Sequence, residues 1–250
     1  MSTLTAKSAL LMGAGAVPVL VGQAAAAFLN NGATSSTATL TATAPAGRQV
    51  GDLLLDTGYV ETVFTPLPPT GYSDLGAGAT AGSRMFKRSA SATAADDCSW
   101  APNASSQAHA SHLIVLRGVG ATVTRGDQGA GNDMPGSAGF AGGAATVSVP
   151  PSTTGRPNAP GPGWEFLTVL LATSSGASSS LAYGAPPAGW LKLGEHLFFT
   201  LQGREGRCVV LARRIFAAGI TPDDTVQINL TRTPTSATMG GVASRFAVTA

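Results

Sequence analysis

Charged residues are scarce in this 250-residue chain, 11% of the total, against about a quarter in an average soluble protein. Aromatic residues are 6%, and there are two cysteines, Cys98 and Cys208. Each shortage excludes something. A helix bundle needs charged helix formers on its outer faces, whereas this chain carries 32 glycines and 16 prolines, the poorest helix-interior residues. A nucleic-acid binder needs a basic stripe, but the net charge is +2 with no run of one sign. Two cysteines without a C-x-x-C pair build neither a zinc module nor a disulfide framework. A single disulfide remains open, with two buried free thiols the expected state. Disorder is excluded from the other side, because 44% of the residues are hydrophobic. An all-β chain of short strands and small-residue turns survives these exclusions.

An internal repeat is the most informative feature present. Residues 68–76 read PPTGYSDLG and residues 186–194 read PPAGWLKLG. Further matches keep the same order. Thr39–Thr41, Pro45 and Gly51–Leu55 parallel Thr146–Ser148, Pro150 and Trp164–Leu167. Met85–Arg88 parallels Leu211–Arg214, Asp96-Asp97 parallels Asp223-Asp224, and Ala110–Val115 parallels Ala243–Val248. An ordered series of this kind indicates a duplication.

Alternation and apolar runs predict strands at 36–42, 52–63, 84–90, 97–101 and 111–117 in the first copy. The second copy is predicted to have strands at 144–149, 165–173, 197–201, 208–217, 225–231 and 242–249. Runs such as LIVLRG and EFLTVLLAT suit strands buried on both sides or in a sandwich core. In the Pro-Pro-x-Gly-aromatic element the prolines end a strand and glycine turns the chain. Tyr72 or Trp190 then drops into the core as a plug. The predicted organisation is an N-terminal apolar arm (1–30), a first β-sandwich repeat (31–118), a Gly-rich loop or linker (119–143) and a second repeat (144–250).

The N-terminal segment 8–29 has the apolar core and A-x-A site, Ala24–Ala26, of a secretory signal peptide. Pro18 interrupts it and only Lys7 stands nearby before it. Its glycines and alanines fit an arm that packs on a neighbouring subunit, and assembly is the expected role. Stretches 76–82, 117–143 and 150–163 are the loops where binding surfaces would sit.

Chemistry-bearing residues are few, and no G-x-S-x-G, Walker or H-E-x-x-H motif occurs. Gly13-Ala14-Gly15 lacks the rest of a dinucleotide fingerprint. His109 and His112 would face opposite sides of a strand, and His196 stands alone, so solvated or core roles are expected. The Asp96-Asp97 and Asp223-Asp224 pairs could serve acid–base work or Ca²⁺, but their recurrence favours turns. Arg125-Gly126-Asp127 has the shape of an integrin motif, and Asp127 with Asn132 and Asp133 could hold Ca²⁺; both signals are weak. Basic clusters at Arg84, Lys87 and Arg88, and at Arg204, Arg207, Arg213 and Arg214, fit solvated strand edges. No catalytic, cofactor or metal residue is assigned.

The duplicated pattern resembles a group of β-rich proteins of phage virions and bacterial surfaces: tail-associated, head-fibre or minor structural proteins. The stretches Thr43–Gly47, Gly51–Leu55, Pro68–Leu75, Ile114–Val119, Pro186–Leu193 and Ser244–Val248 carry the likeness. It covers about residues 35–250 and departs at Tyr72, where the pattern prefers Trp. The resemblance implies two tandem jelly-roll-like sandwiches in a non-enzymatic virion component, with other virion proteins or copies of itself as partners. Neither nucleic acid nor membrane is an expected partner. A receptor- or carbohydrate-binding module is the alternative. With three Trp and three Tyr, and Tyr72 and Trp190 expected inside, the structural role leads.

Overall fold

Apolar runs bounded by glycine and proline turns fold here as antiparallel strands throughout. The computed structural model describes residues 18–28, 39–60, 68–77, 83–101, 109–118, 123–125, 143–149, 163–173, 180–201, 204–215, 225–233 and 239–249. The first half contains β1 (Val19–Phe28), β2 (Leu40–Ala42), β3 (Leu53–Val60), β4 (Ser73–Ala77), β5 (Ser83–Ser89), β6 (Cys98–Trp100) and β7 (His109–Arg117). The second contains β8 (Val123–Arg125), β9 (Gly143–Val149), β10 (Gly163–Thr173) and β11 (Ser180–Tyr183). It continues through β12 (Leu191–Leu201), β13 (Arg204–Ile215), β14 (Val226–Thr233) and β15 (Met239–Thr249). The described residues are mostly strand with almost no helix, so the protein is all-β.

Four sheets result. Sheet I runs β1-β7-β3-β5-β4, sheet II β12-β13-β10-β15-β8, sheet III β11-β14-β9, and sheet IV pairs β2 with β6. Three apolar layers join them. Leu54, Leu113 and Val115 of sheet I pack with Leu40, Ala42, Cys98 and Trp100 of sheet IV. Leu167, Val169, Val209 and Leu211 of sheet II pack with Leu181, Val226, Ile228 and Leu230 of sheet III. The opposite faces of sheets I and II meet each other. Leu53, Leu55, Ile114 and Leu116 from the first half interlock with Trp164, Phe166, Val210 and Val248 from the second. Strands β3, β7, β10 and β13 therefore carry buried side chains on both faces. This explains their near-continuous apolar sequences.

Several expectations are corrected here. The segment 1–30 was expected to be an arm onto a neighbour. Its described part, β1, instead lies along β7 of its own chain, with Gln23 opposite Ile114 and Phe28 opposite His109. Leu20 packs toward the shared layer and Val21 toward the outer one, an alternation that fits a sheet strand rather than a free extension. The Gly-rich loop or linker expected at 119–143 contains β8, paired with β15 from Val123 opposite Val248 to Arg125 opposite Phe246. Strands β4 and β11 were not foreseen, and β12 begins at Leu191 rather than 197. Nor does each half keep all its core to itself, since the central layer draws on both.

Candidate functional site

The two Pro-Pro-x-Gly-aromatic elements form the same turn. Tyr72 N–H donates to Pro69 O at 2.9 Å and Trp190 N–H to Pro187 O at 3.0 Å, with Gly71 and Gly189 both at φ +80°. A positive φ at the third turn position is the type II geometry that selects glycine. Both aromatics are buried, as the plug expectation required. A guanidinium covers each ring: Arg88 lies 5.9 Å above Tyr72 and Arg213 4.7 Å above Trp190.

Beside Tyr72 lies a cavity of about 290 Å³, bordered by Pro69, Thr70, Arg88, Ala94, Asp97 and Ser99. Its polar groups are tied to the protein itself. Asp96 takes the N–H of Ser91 at 2.8 Å, the Ser91 hydroxyl at 2.7 Å and Arg48 Nε at 2.9 Å, with Arg88 Nε at 3.4 Å. Burial pushes this carboxyl up, but the Ser91 and Arg48 hydrogen bonds outweigh it and hold it at about 2. The Tyr72 hydroxyl donates to Asp96 O at 2.6 Å, and Asp97 Oδ1 accepts the N–H of Ala44 at 2.8 Å. The pair thus serves a corner, as its turn signal suggested.

At the start of β3, Asp52 accepts Arg117 Nε at 2.9 Å and a second Arg117 nitrogen at 2.8 Å. Gln49 N–H adds a bond at 2.7 Å. These bonds lower the Asp52 carboxyl against the opposing effect of burial.

The basic clusters are likewise committed where their side chains are described. Arg207 pairs with Glu205 and Glu195, Arg213 with Glu165, and Arg214 lies 5.1 Å over the Trp164 ring. These contacts replace the solvated-edge reading for Arg207, Arg213 and Arg88, whereas Arg214 stays exposed. Arg84 and Lys87 lie on β5 and Arg204 on β13.

Asp56 and His112 are among the buried polar residues. Asp56 on β3 accepts the Ser111 hydroxyl at 2.5 Å. Burial raises its carboxyl to about 6, opposed by the Ser111 hydrogen bond and by the polar groups of Cys98 and Trp100 beside it. His112 on β7 lies in the shared layer and meets His196 of β12, Nδ1 to Nε2, at 2.9 Å. The core role expected for His112 holds, but its contact with His196 was not legible in the sequence. The contact spans 84 positions, and no local pattern marks it. Both cysteines are free and buried, and burial pushes both thiols up.

No group of three potential metal ligands occurs among the described residues. Gly13–Gly15, Gly126-Asp127, Asn132, Asp133 and Asp223-Asp224, with loop residues 78–82 and 150–162, lie outside the described residues.

No known family model and no curated protein matches the chain. Among solved structures, that of dimeric latent PorU from Porphyromonas gingivalis aligns at 11% identity and a TM-score of 0.23. The alignment covers 98% of this chain and 26% of that one. This chain therefore spans about a quarter of that protein's length. Such a low score carries no argument about fold or role. No family membership follows.

Proposed function

We propose that this protein is a non-enzymatic structural component of a phage particle, tail-associated, head-fibre or capsid-decorating, built from two tandem related jelly-roll-like units. The observation that carries the reading is the stack of four sheets through three apolar layers. Such a stack resists bending because every strand in its two middle sheets is fixed by ladders, and the central ones by packing on both faces. The described polar side chains of the corners and turns hold backbone or each other.

Strand pairing supports the tandem reading. Sheet I contains the order β7-β3-β5-β4, and sheet II the order β15-β10-β13-β12. Sheet IV pairs β2 with β6, as sheet III pairs β9 with β14. An added edge strand, β1 or β8, lies on β7 or β15. First pairs with last, second with next-to-last and third with the strand inside those, which is the folded-ribbon logic of a jelly roll.

The alternative, a sugar-binding module, would need exposed aromatic faces. Trp100, Trp164 and Trp190 are 3%, 3% and 5% exposed. The test is to band particles of the phage or lysate that encodes this chain on a density gradient and identify their proteins by mass spectrometry. Stoichiometric co-banding is expected. A chain that stays wholly in the soluble fraction overturns the reading, and specific signals on a glycan array would favour the alternative.

A further inference from the structure

At its margin, the layer shared by the two halves gives way to a chain of polar groups that neither half supplies alone. Gln23 on β1 and His112 on β7 come from the first half; His196 and the Leu193 carbonyl on β12 come from the second. Chemistry orders the donors, because an amide nitrogen only donates and a carbonyl only accepts. Gln23 Nε2 donates to Leu193 O. Gln23 Oε1 must then accept from His112 Nε2, 2.8 Å away. With its proton on Nε2, neutral His112 offers Nδ1 as a bare acceptor, and His196 Nε2 donates to it at 2.9 Å. Gly194 leaves room for this: a Cβ there would stand 2.7 Å from His196 Nε2 and 3.0 Å from His112 Cε1.

We propose that the Gln23–His112–His196 chain is a proton-operated latch between the two halves, closed while His112 is neutral and opened when both imidazoles are charged. A first proton enters at His196 Nδ1 and leaves the chain intact, since Nε2–H still donates. A second must occupy His112 Nδ1. It would set N–H against N–H and place two positive charges on rings 5.1 Å apart. His112 is buried, so water cannot screen them.

The neighbouring elements offer no free counter-charge among the described side chains. From β3, the Thr57 hydroxyl binds the carbonyl of His112. On β7 itself, Ser111 donates to Asp56, the carboxyl on the other face of β3. On β13, Cys208 stands opposite His196 as a buried neutral thiol. On β12, Glu195 is engaged by Lys192 and Arg207. Burial and the mutual repulsion of the rings bring His112 down to about 3, and burial lowers His196 against the attraction of Glu195. The latch is therefore shut at neutral pH and yields to acid.

Trp164 reports on the same seam, because its indole N–H donates across it to Pro18 O at 2.5 Å. The full chain would be labelled with 5-fluorotryptophan, with the residue-164 resonance assigned by Trp164→Phe. Fluorine spectra and far-UV circular dichroism would then be followed from pH 7.5 to pH 3. The expected result is a second residue-164 resonance that grows in acid while the β signal persists. In His196→Gln, which takes no proton and can turn its amide oxygen toward a protonated His112 Nδ1, both causes of opening are gone, and the step should vanish between pH 7.5 and pH 3. His112→Gln should abolish the step. If that buried variant fails to fold, His196→Gln at its less buried position decides alone. A step that persists in His196→Gln, simultaneous loss of seam and β signals, or no second wild-type resonance above pH 3 each overturns the latch.

Discussion

Asp56 and His112 sit on adjacent strands and tilt stability in opposite directions with pH. Asp56 is raised from 3.8 to about 6. Between those values the unfolded chain releases a proton that the native state keeps, so stability falls as pH rises through that window. His112 is lowered from 6.5 to about 3, so stability falls as pH drops through the interval between them. The slopes oppose each other from about pH 4 to 6, and the wild type should be nearly flat there. Asp56→Asn is expected to gain on the order of 3 kcal/mol near pH 7 and to lose stability steadily on acidification below pH 6.5. Urea midpoints at four pH values between 4 and 7 measure both slopes. Asp96 acts at lower pH, its contribution being lost as pH falls below 3.8 toward about 2. Asp96→Ala leaves buried donors from Ser91 and Arg48 unpaired, an expected loss of about 3 kcal/mol by thermal unfolding at pH 7. Tyr72→Phe, which removes one hydroxyl bond, should cost about 1 kcal/mol.

Among elements, the two aromatic turns offer a matched comparison. Gly71 and Gly189 share φ +80°, but a Cβ on Gly71 would stand 2.3 Å from an Arg88 nitrogen, whereas one on Gly189 meets nothing within 4 Å. Gly189→Ala should cost only the left-handed backbone penalty, about 1–2 kcal/mol. Gly71→Ala should cost more, since Arg88 must also leave Thr70 O and the Tyr72 face. A smaller loss for Gly71→Ala in chemical denaturation would contradict this account.

Strand β11 shows how an edge is closed. It pairs with β14 on one side. Its Leu181 and Tyr183 N–H groups donate to the carboxylates of Glu205 and Glu195, each at 3.1 Å. The side chains occupy donors that a foreign strand would otherwise bind. The Glu195→Ala/Glu205→Ala double variant is expected to self-associate in proportion to concentration, as read by light scattering, where the wild type does not through this edge.

For the whole molecule, the shared layer makes the halves one cooperative object. Leu55 and Ile114 of one half, and Phe166 and Val210 of the other, each lose their cover if the partner half unfolds. A single calorimetric transition is therefore expected near neutral pH, while two separated transitions would indicate independent units. Deleting residues 1–28 removes β1 from β7, Gln23 from His112 and the Pro18 carbonyl from the Trp164 indole. It should lower the melting temperature of the entire chain, not leave two folded sandwiches behind. Unchanged melting in the truncated protein would show β1 to be dispensable.

The sequence by itself determined the all-β class, most strand positions, the two plugged turns and the corner role of Asp96-Asp97. These depend on period-two burial, on glycine at a positive φ and on side chains that bond backbone a few residues away, all of them local. The apolar runs of β7 and β10 also suited strands buried on both sides or in a sandwich core. What covers them was decided only in three dimensions, because apolar surface is non-directional and carries no address. The same limit hid β1, whose Gly/Ala-rich sequence fits a sheet edge as well as an arm. It hid the closing of β11 by carboxylates from β12 and β13. It hid the meeting of His112 with His196, since a buried polar contact is chosen by whichever donors and acceptors the packed sheets bring within reach.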